Sequence, residues 1–174
     1  MTIRMCAGVL LAMLPPAAGA EVKLATADAM LIRHEFRIEA PAAKAWDTLV
    51  HPERYWPPDH TWSGARESLS LEPVAGGCYC ERWDGGSAEH GRVVMAVPGK
   101  ALKLDAALGP FLEMAISGIL AVSLEETEGT TTAVVTYRVS GDPAHRLDAL
   151  APIVDQVLGM QFGAFASAAG EASD

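Results

Sequence analysis

The chain has 174 residues, with 13 Lys plus Arg against 22 Asp plus Glu and a formal net charge of −9. That balance argues against nucleic acid or anionic lipid as partners, since both are held through basic patches. Half of the residues are hydrophobic (50%), so one domain with a real core is expected, as a self-repelling monomer or small homo-oligomer.

In chain order, Arg4, the apolar run from Met5 to Leu14, and Ala18-Gly19-Ala20 make the three parts of a secretory signal peptide over residues 1–20. The run falls short of the about 20 residues of a membrane-spanning helix. Cys6 lies inside it without the small residues that a lipid-attachment site needs before it. Cleavage after Ala20 would give a periplasmic or secreted protein with no membrane span. Residues 21–29 read as a lead-in, and residues 30–169 as the domain.

From Met30 the pattern alternates, with Ile32, His34, Phe36 and Ile38 on one face, as in a half-buried strand. Pro41 opens a helix with Ala45, Trp46, Leu49 and Val50 as its apolar stripe. His51-Pro52 breaks it, and one more turn fits before Pro57-Pro58. Strands are then expected over Glu67–Leu71, Gly77–Trp83, Ala88–Val97 and Ala101–Ala107, with Asp84-Gly85-Gly86 as a hairpin turn. Leu108-Gly109-Pro110-Phe111 interrupts the sheet. Two long alternating segments follow, one from Met114 to Leu124 and one from Thr131 to Val139, separated by a turn at Glu125 to Gly129.

From Asp142-Pro143 the period turns helical, and Leu147, Leu150, Val154, Leu158, Phe162 and Phe165 recur at steps of three and four. Gly159 and Gly163 within this helix suggest a close approach to the sheet or a bend. The fold class is α+β: an antiparallel sheet wrapped around a long C-terminal helix, with two short helices after the first strand. The space between helix and sheet is the natural place for a cavity.

With this layout the chain resembles the SRPBCC or START-like superfamily, the helix-grip fold shared with the birch-pollen-allergen family. The resemblance covers about residues 30–168. It rests on Ile38-Glu39-Ala40-Pro41-Ala42 leading to Trp46, then His51-Pro52-Glu53, Gly76-Gly77, His90-Gly91 and Pro98. A narrower likeness is to bacterial members with GGCFCE, HG, LGP and VD…Q elements. Here these read Gly76-Gly77-Cys78-Tyr79-Cys80-Glu81, His90-Gly91, Leu108-Gly109-Pro110, and Val154-Asp155 with Gln161; Tyr79 stands where Phe is expected. The resemblance implies a ligand-enclosing fold. The superfamily includes lipid and hormone binders, polyketide cyclases, ring-hydroxylase domains and activators of a chaperone ATPase.

Cys78 and Cys80 point to one face of their strand and admit three readings. They are a local disulfide, two buried free thiols, or weak metal ligands together with His90 or His60. Glu81 falls opposite residue 89 or 90, within reach of His90, and a carboxylate orienting an imidazole is the minimum unit of general acid–base chemistry. The alternative is a surface ion pair. Strand alternation separates the cysteines from Glu81 unless a bulge intervenes. Catalytic candidates are His34, Glu81, His90 and Tyr137. Candidates for ligand binding are His34, Phe36, Trp56, Trp62, Tyr137, Gln161 and Phe162. No nucleophile elbow, phosphate loop, dinucleotide fingerprint or His-Glu-x-x-His helix occurs, so no cofactor is expected.

The leading expectation is an exported module that encloses a small hydrophobic, amphipathic or lipid-like ligand. An enzyme of cyclase, dehydratase or hydrolase type in the same cavity is the alternative. A protein-interaction module of the chaperone-activator kind stands third.

Overall fold

A computed structural model describes residues 21–171; the signal peptide expected over residues 1–20 lies outside them. Eight strands form one sheet: β1 (Glu21–Ala25), β2 (Ala29–Ile38), β3 (Leu69–Leu71), β4 (Cys78–Trp83), β5 (Gly86–Val97), β6 (Ala101–Asp105), β7 (Ser117–Thr127) and β8 (Thr130–Ser140). All neighbours are antiparallel, in the spatial order β1-β2-β8-β7-β6-β5-β4-β3. Helix α1 (Ala42–Leu49) follows β2 and single 3₁₀ turns follow it. Helix α2 (Leu147–Gly170) closes the domain. This is the helix-grip arrangement expected from the sequence.

The lead-in is more ordered than its composition implies. Glu21–Ala25 pairs with β2 as an edge strand, Ala25 opposite Met30. Its order comes from hairpin pairing with the strand that follows it, three residues on, which the composition of the segment alone does not carry. β7 starts at Ser117, because Ala115 just before it takes a positive φ of 53° and ends the run of Met114 and Ile116.

α2 packs chiefly on β2, with α1 and β1 along its flanks. Leu147, Ala151, Leu158, Phe162, Phe165 and Ala169 form its buried stripe, at the spacing of one helical face. Gly159 permits the closest approach: a Cβ there would stand 3.0 Å from His34 Cε1 on β2, whereas one at Gly163 would meet Phe36 only at 4.0 Å. The apolar set on α2 is wider than the sheet needs. Leu150 and Val154 are only half-buried and Ile153 is 61% exposed. That surplus face borders the cavity.

Candidate functional site

A cavity of about 760 Å³ lies between the outer half of α2, the loop after α1 and the connection between β6 and β7, large enough for a small organic ligand. Its apolar side comes from α2 (Leu150, Val154, Val157, Leu158) and from Phe111 and Met114. Trp56 and Trp62 border it from the loop after α1. Polar groups are few: His60, Thr61, His90, His145, Tyr137 and Gln161, with Asp59 and Glu113 as the acidic groups. No Lys or Arg lines it among the described residues. A second void of about 20 Å³, lined by Tyr55, Tyr79 and Phe162 among others, lies deeper beside Trp56; it has room for about one water.

The polar end is built on β4 and β5. In a regular ladder Cys80 would face His90, putting the imidazole on the outer surface. Instead Tyr79 pairs with Gly91 and Cys80 with Glu89, so His90 is an extra residue on β5. This bulge turns His90 inward and leaves Glu89 outward with the cysteines. Glu81 consequently sits opposite Ala88 rather than residue 89 or 90, yet its Oε2 lies 2.9 Å from His90 Nε2. Both side chains are buried, Glu81 completely, so the surface ion-pair alternative fails. Gly91 is required beside the bulge: a Cβ would lie 2.7 Å from that of Ala106.

Glu81 also accepts backbone N–H bonds from Trp62 (3.0 Å) and Ser63 (2.6 Å). Burial is the largest influence on this carboxyl and raises its pKa. Hydrogen bonds from Ser63, Trp62 and His90 outweigh it, holding the group below its ordinary range. An ionised Glu81 makes His90 Nε2 the donor and leaves Nδ1 as the ring nitrogen available to a ligand.

Tyr137 borders the same cavity but its hydroxyl is committed. It donates to the Ala106 carbonyl at 2.9 Å and accepts from the Leu108 N–H at 3.1 Å. Burial pushes its pKa up to about 12, against the lowering effect of Leu108. Tyr137 therefore clamps the Leu108-Gly109-Pro110 connection that forms the rim. Gly118 makes room for it, since a Cβ there would meet the Tyr137 ring at 2.8 Å.

The remaining candidates separate. His34 is buried but does not line the cavity. Its Nε2 lies 3.0 Å from Asp155 Oδ1, a close contact without hydrogen-bond geometry, and its ring stacks on Phe36. Phe36 is likewise outside the cavity lining, and Phe162 borders only the small void. Trp56, Trp62, Tyr137 and Gln161 do border the large cavity. His34 thus serves as a bridge between helix and sheet, not as a partner of His90.

Cys78 and Cys80 are joined by a disulfide, with Cα atoms 5.4 Å apart. They face away from the cavity, so His90 cannot share a metal with them; the acidic neighbour of the pair is Glu89. His145 and Glu113 were not anticipated as cavity residues. His145 ends a short turn after Asp142, and only its position just before the long helix pointed toward the cavity.

No family model and no curated protein sequence matches the chain. Solved structures do. A protein of Chromobacterium violaceum aligns with a TM-score of 0.57 at 15% identity, covering 82% of this chain and 98% of its own. Norcoclaurine synthase of Thalictrum flavum aligns with a TM-score of 0.55 at 13% identity, covering 81% of this chain and 94% of its own. The di-domain aromatase/cyclase of the steffimycin biosynthetic pathway gives a TM-score of 0.57 at 15% identity, over 83% of this chain and 50% of that one. At these identities the likeness is one of fold, the α+β helix-grip fold.

Proposed function

We propose that the protein is a binding module for a small, non-anionic, hydrophobic or amphipathic molecule held between α2 and the sheet. The observation that carries this reading is the cavity of about 760 Å³, with an apolar helix wall and one polar end. Apolar area supplies affinity, while His90, Gln161 and the other imidazoles fix orientation. A lining without Lys or Arg disfavours phosphate or carboxylate headgroups, which need charge-assisted partners. The test is native mass spectrometry of the purified chain, followed by a thermal-shift screen of neutral and cationic aromatic and aliphatic ligands. A ligand present at about 100 times its Kd stabilises the folded state by about 2.7 kcal/mol, a readable shift. A chain that carries no small molecule and responds to no ligand in the screen overturns the reading.

Glu81 and His90 support a second reading, proton transfer on the bound molecule. A buried carboxylate orients the imidazole through Nε2, leaving Nδ1 to accept or return a proton. Proteins of the same fold include norcoclaurine synthase and an aromatase/cyclase, so such cavities can host chemistry. Deuterium exchange of an enolisable aromatic ketone is the probe. Exchange catalysed by the native chain but not by His90→Gln supports this reading; equal rates end it.

A further inference from the structure

The Cys78–Cys80 disulfide lies directly behind the Glu81–His90 pair. Cys80 precedes Glu81 on β4, and Glu89, its partner across the ladder, precedes His90 on β5. In an extended strand, residues two apart stand about 6.6 Å from one another. Here the two Cα atoms are only 5.4 Å apart. The bonded segment of β4 is shortened at the step where β5 carries its extra residue. The contracted step of β4 thus faces the bulge that turns His90 inward.

The bond does little as a staple. Stabilisation by cross-linking grows with the length of the loop closed, and a separation of two residues stands at the bottom of that scale. Its environment suits exchange instead. Cys78 is half-buried whereas Cys80 is buried, so a thiol arriving from solvent meets Cys78 first. Arg92 stands opposite Cys78 in the ladder and pairs with Glu89, the carboxylate 4.0 Å from Cys78 Sγ, so the two charges largely cancel for an incoming thiolate.

We propose that Cys78–Cys80 is a thiol–disulfide exchange site for a dithiol, and that its redox state sets the geometry of the Glu81–His90 pair. A dithiol thiolate attacks Cys78 Sγ; the bond to Cys80 breaks, and Cys80 leaves as a thiolate that takes up a proton. The second thiol of the reductant then attacks its own sulfur in the mixed disulfide and releases Cys78 as a thiol. Two electrons and two protons pass to the protein and the dithiol becomes a disulfide. Reduction lets β4 extend by about 1 Å beside the bulge and so loosens the bonds from Trp62, Ser63 and His90 to Glu81. This regulation concerns the polar end of the cavity named above and rests on that reading for its biological use, but not for its detection.

The test uses the full chain without ligand, so failure of the binding proposal leaves its outcome readable. Dithiothreitol is added under native conditions, the thiols are alkylated, and the modified peptides are mapped. Backbone hydrogen exchange is followed at Trp62 and Ser63, with Leu120 and Val135 in the central strands as folding controls. We expect native-state labelling at Cys78 and Cys80 and exchange at Trp62 and Ser63 faster by about tenfold or more, with the controls unchanged. The Cys78→Ser/Cys80→Ser double variant should reproduce the reduced pattern without reductant. A disulfide that resists dithiothreitol until the chain is denatured overturns the proposal. So does reduction that leaves Trp62 and Ser63 protected, a double variant with the oxidised pattern, or loss of protection in the controls as well.

Discussion

The Ser63 backbone N–H donates to Glu81 Oε1 at 2.6 Å, on the same carboxylate whose other oxygen meets His90. One buried anion thus ties the loop carrying Trp62 to the strand carrying the inward imidazole. Its charge is what the loop is built on. Glu81 is held below its ordinary value of 4.5, so the unfolded chain binds this proton first. The contribution is therefore complete above about pH 4.5 and is lost as pH falls from there through the folded value. Glu39 and Asp148 are also lowered, by Arg37 and Arg146 respectively, but these pairs are exposed and salt screens them. Urea unfolding in high salt should still show stability falling below about pH 4.5. In Glu81→Gln that fall should vanish, and stability at neutral pH should drop by about 3 kcal/mol. Hydrogen bonds to a buried charged group are lost there, and a backbone N–H is left facing an amide N–H. A variant as acid-sensitive as the native chain would show that the charge on Glu81 supports nothing.

Tyr79 is expected to behave in the opposite way. Its ring packs against Trp56 and His90, but its buried hydroxyl has no hydrogen-bond partner, and burial pushes its pKa well up. An unpaired buried hydroxyl costs about 1–3 kcal/mol. Tyr79→Phe should accordingly leave stability unchanged or raise it by about 1 kcal/mol, measured by urea unfolding. A loss above that size would mean that the hydroxyl has a partner in solution.

For Tyr137 the sign is set by its neutral form. Burial raises its pKa from 10 to about 12, so the unfolded phenol ionises first. This contribution is complete below about pH 10 and disappears as pH rises from 10 through about 12. Tyr55 and Tyr79 are raised too, so alkaline unfolding should be steep. Tyr137→Phe should reduce that steepness in part. At pH 8 it should cost about 1–2 kcal/mol for two lost hydrogen bonds, with faster amide exchange at Leu108. Unchanged exchange at Leu108 would show that Tyr137 does not clamp the rim.

The sheet and helix were legible because period and punctuation carried them. The apolar alternation from Ile32 to Ile38 and the helical steps from Leu147 to Phe165 each match an observed element. What escaped the sequence depends on how one segment pairs with or packs on another. Glu21–Ala25 is a strand only because β2 lies beside it. His34 sits on an apolar strand face like a cavity residue, but the near approach of Gly159 fills that place with helix. The inward turn of His90 needs an extra residue in one strand, and strict alternation assigns it the wrong face. A glycine directly after a histidine, within a strand that faces a Cys-x-Cys segment, was the trace of it that the sequence held.

Val157 separates the binding reading from a merely loose core. It lines the large cavity on α2 and is only half-buried, whereas the nearby Met160 is 47% exposed and is not part of the lining. A tryptophan at position 157 has empty volume to grow into, so Val157→Trp should change stability by less than about 1 kcal/mol, in contrast to overpacking of a filled core. It should also abolish the thermal shift produced by any ligand found in the screen. Met160→Trp adds the same ring outside the lining and should leave that shift intact. If Val157→Trp binds as the native chain does, the ligand is held elsewhere. If it unfolds, the space beneath α2 is not open in solution.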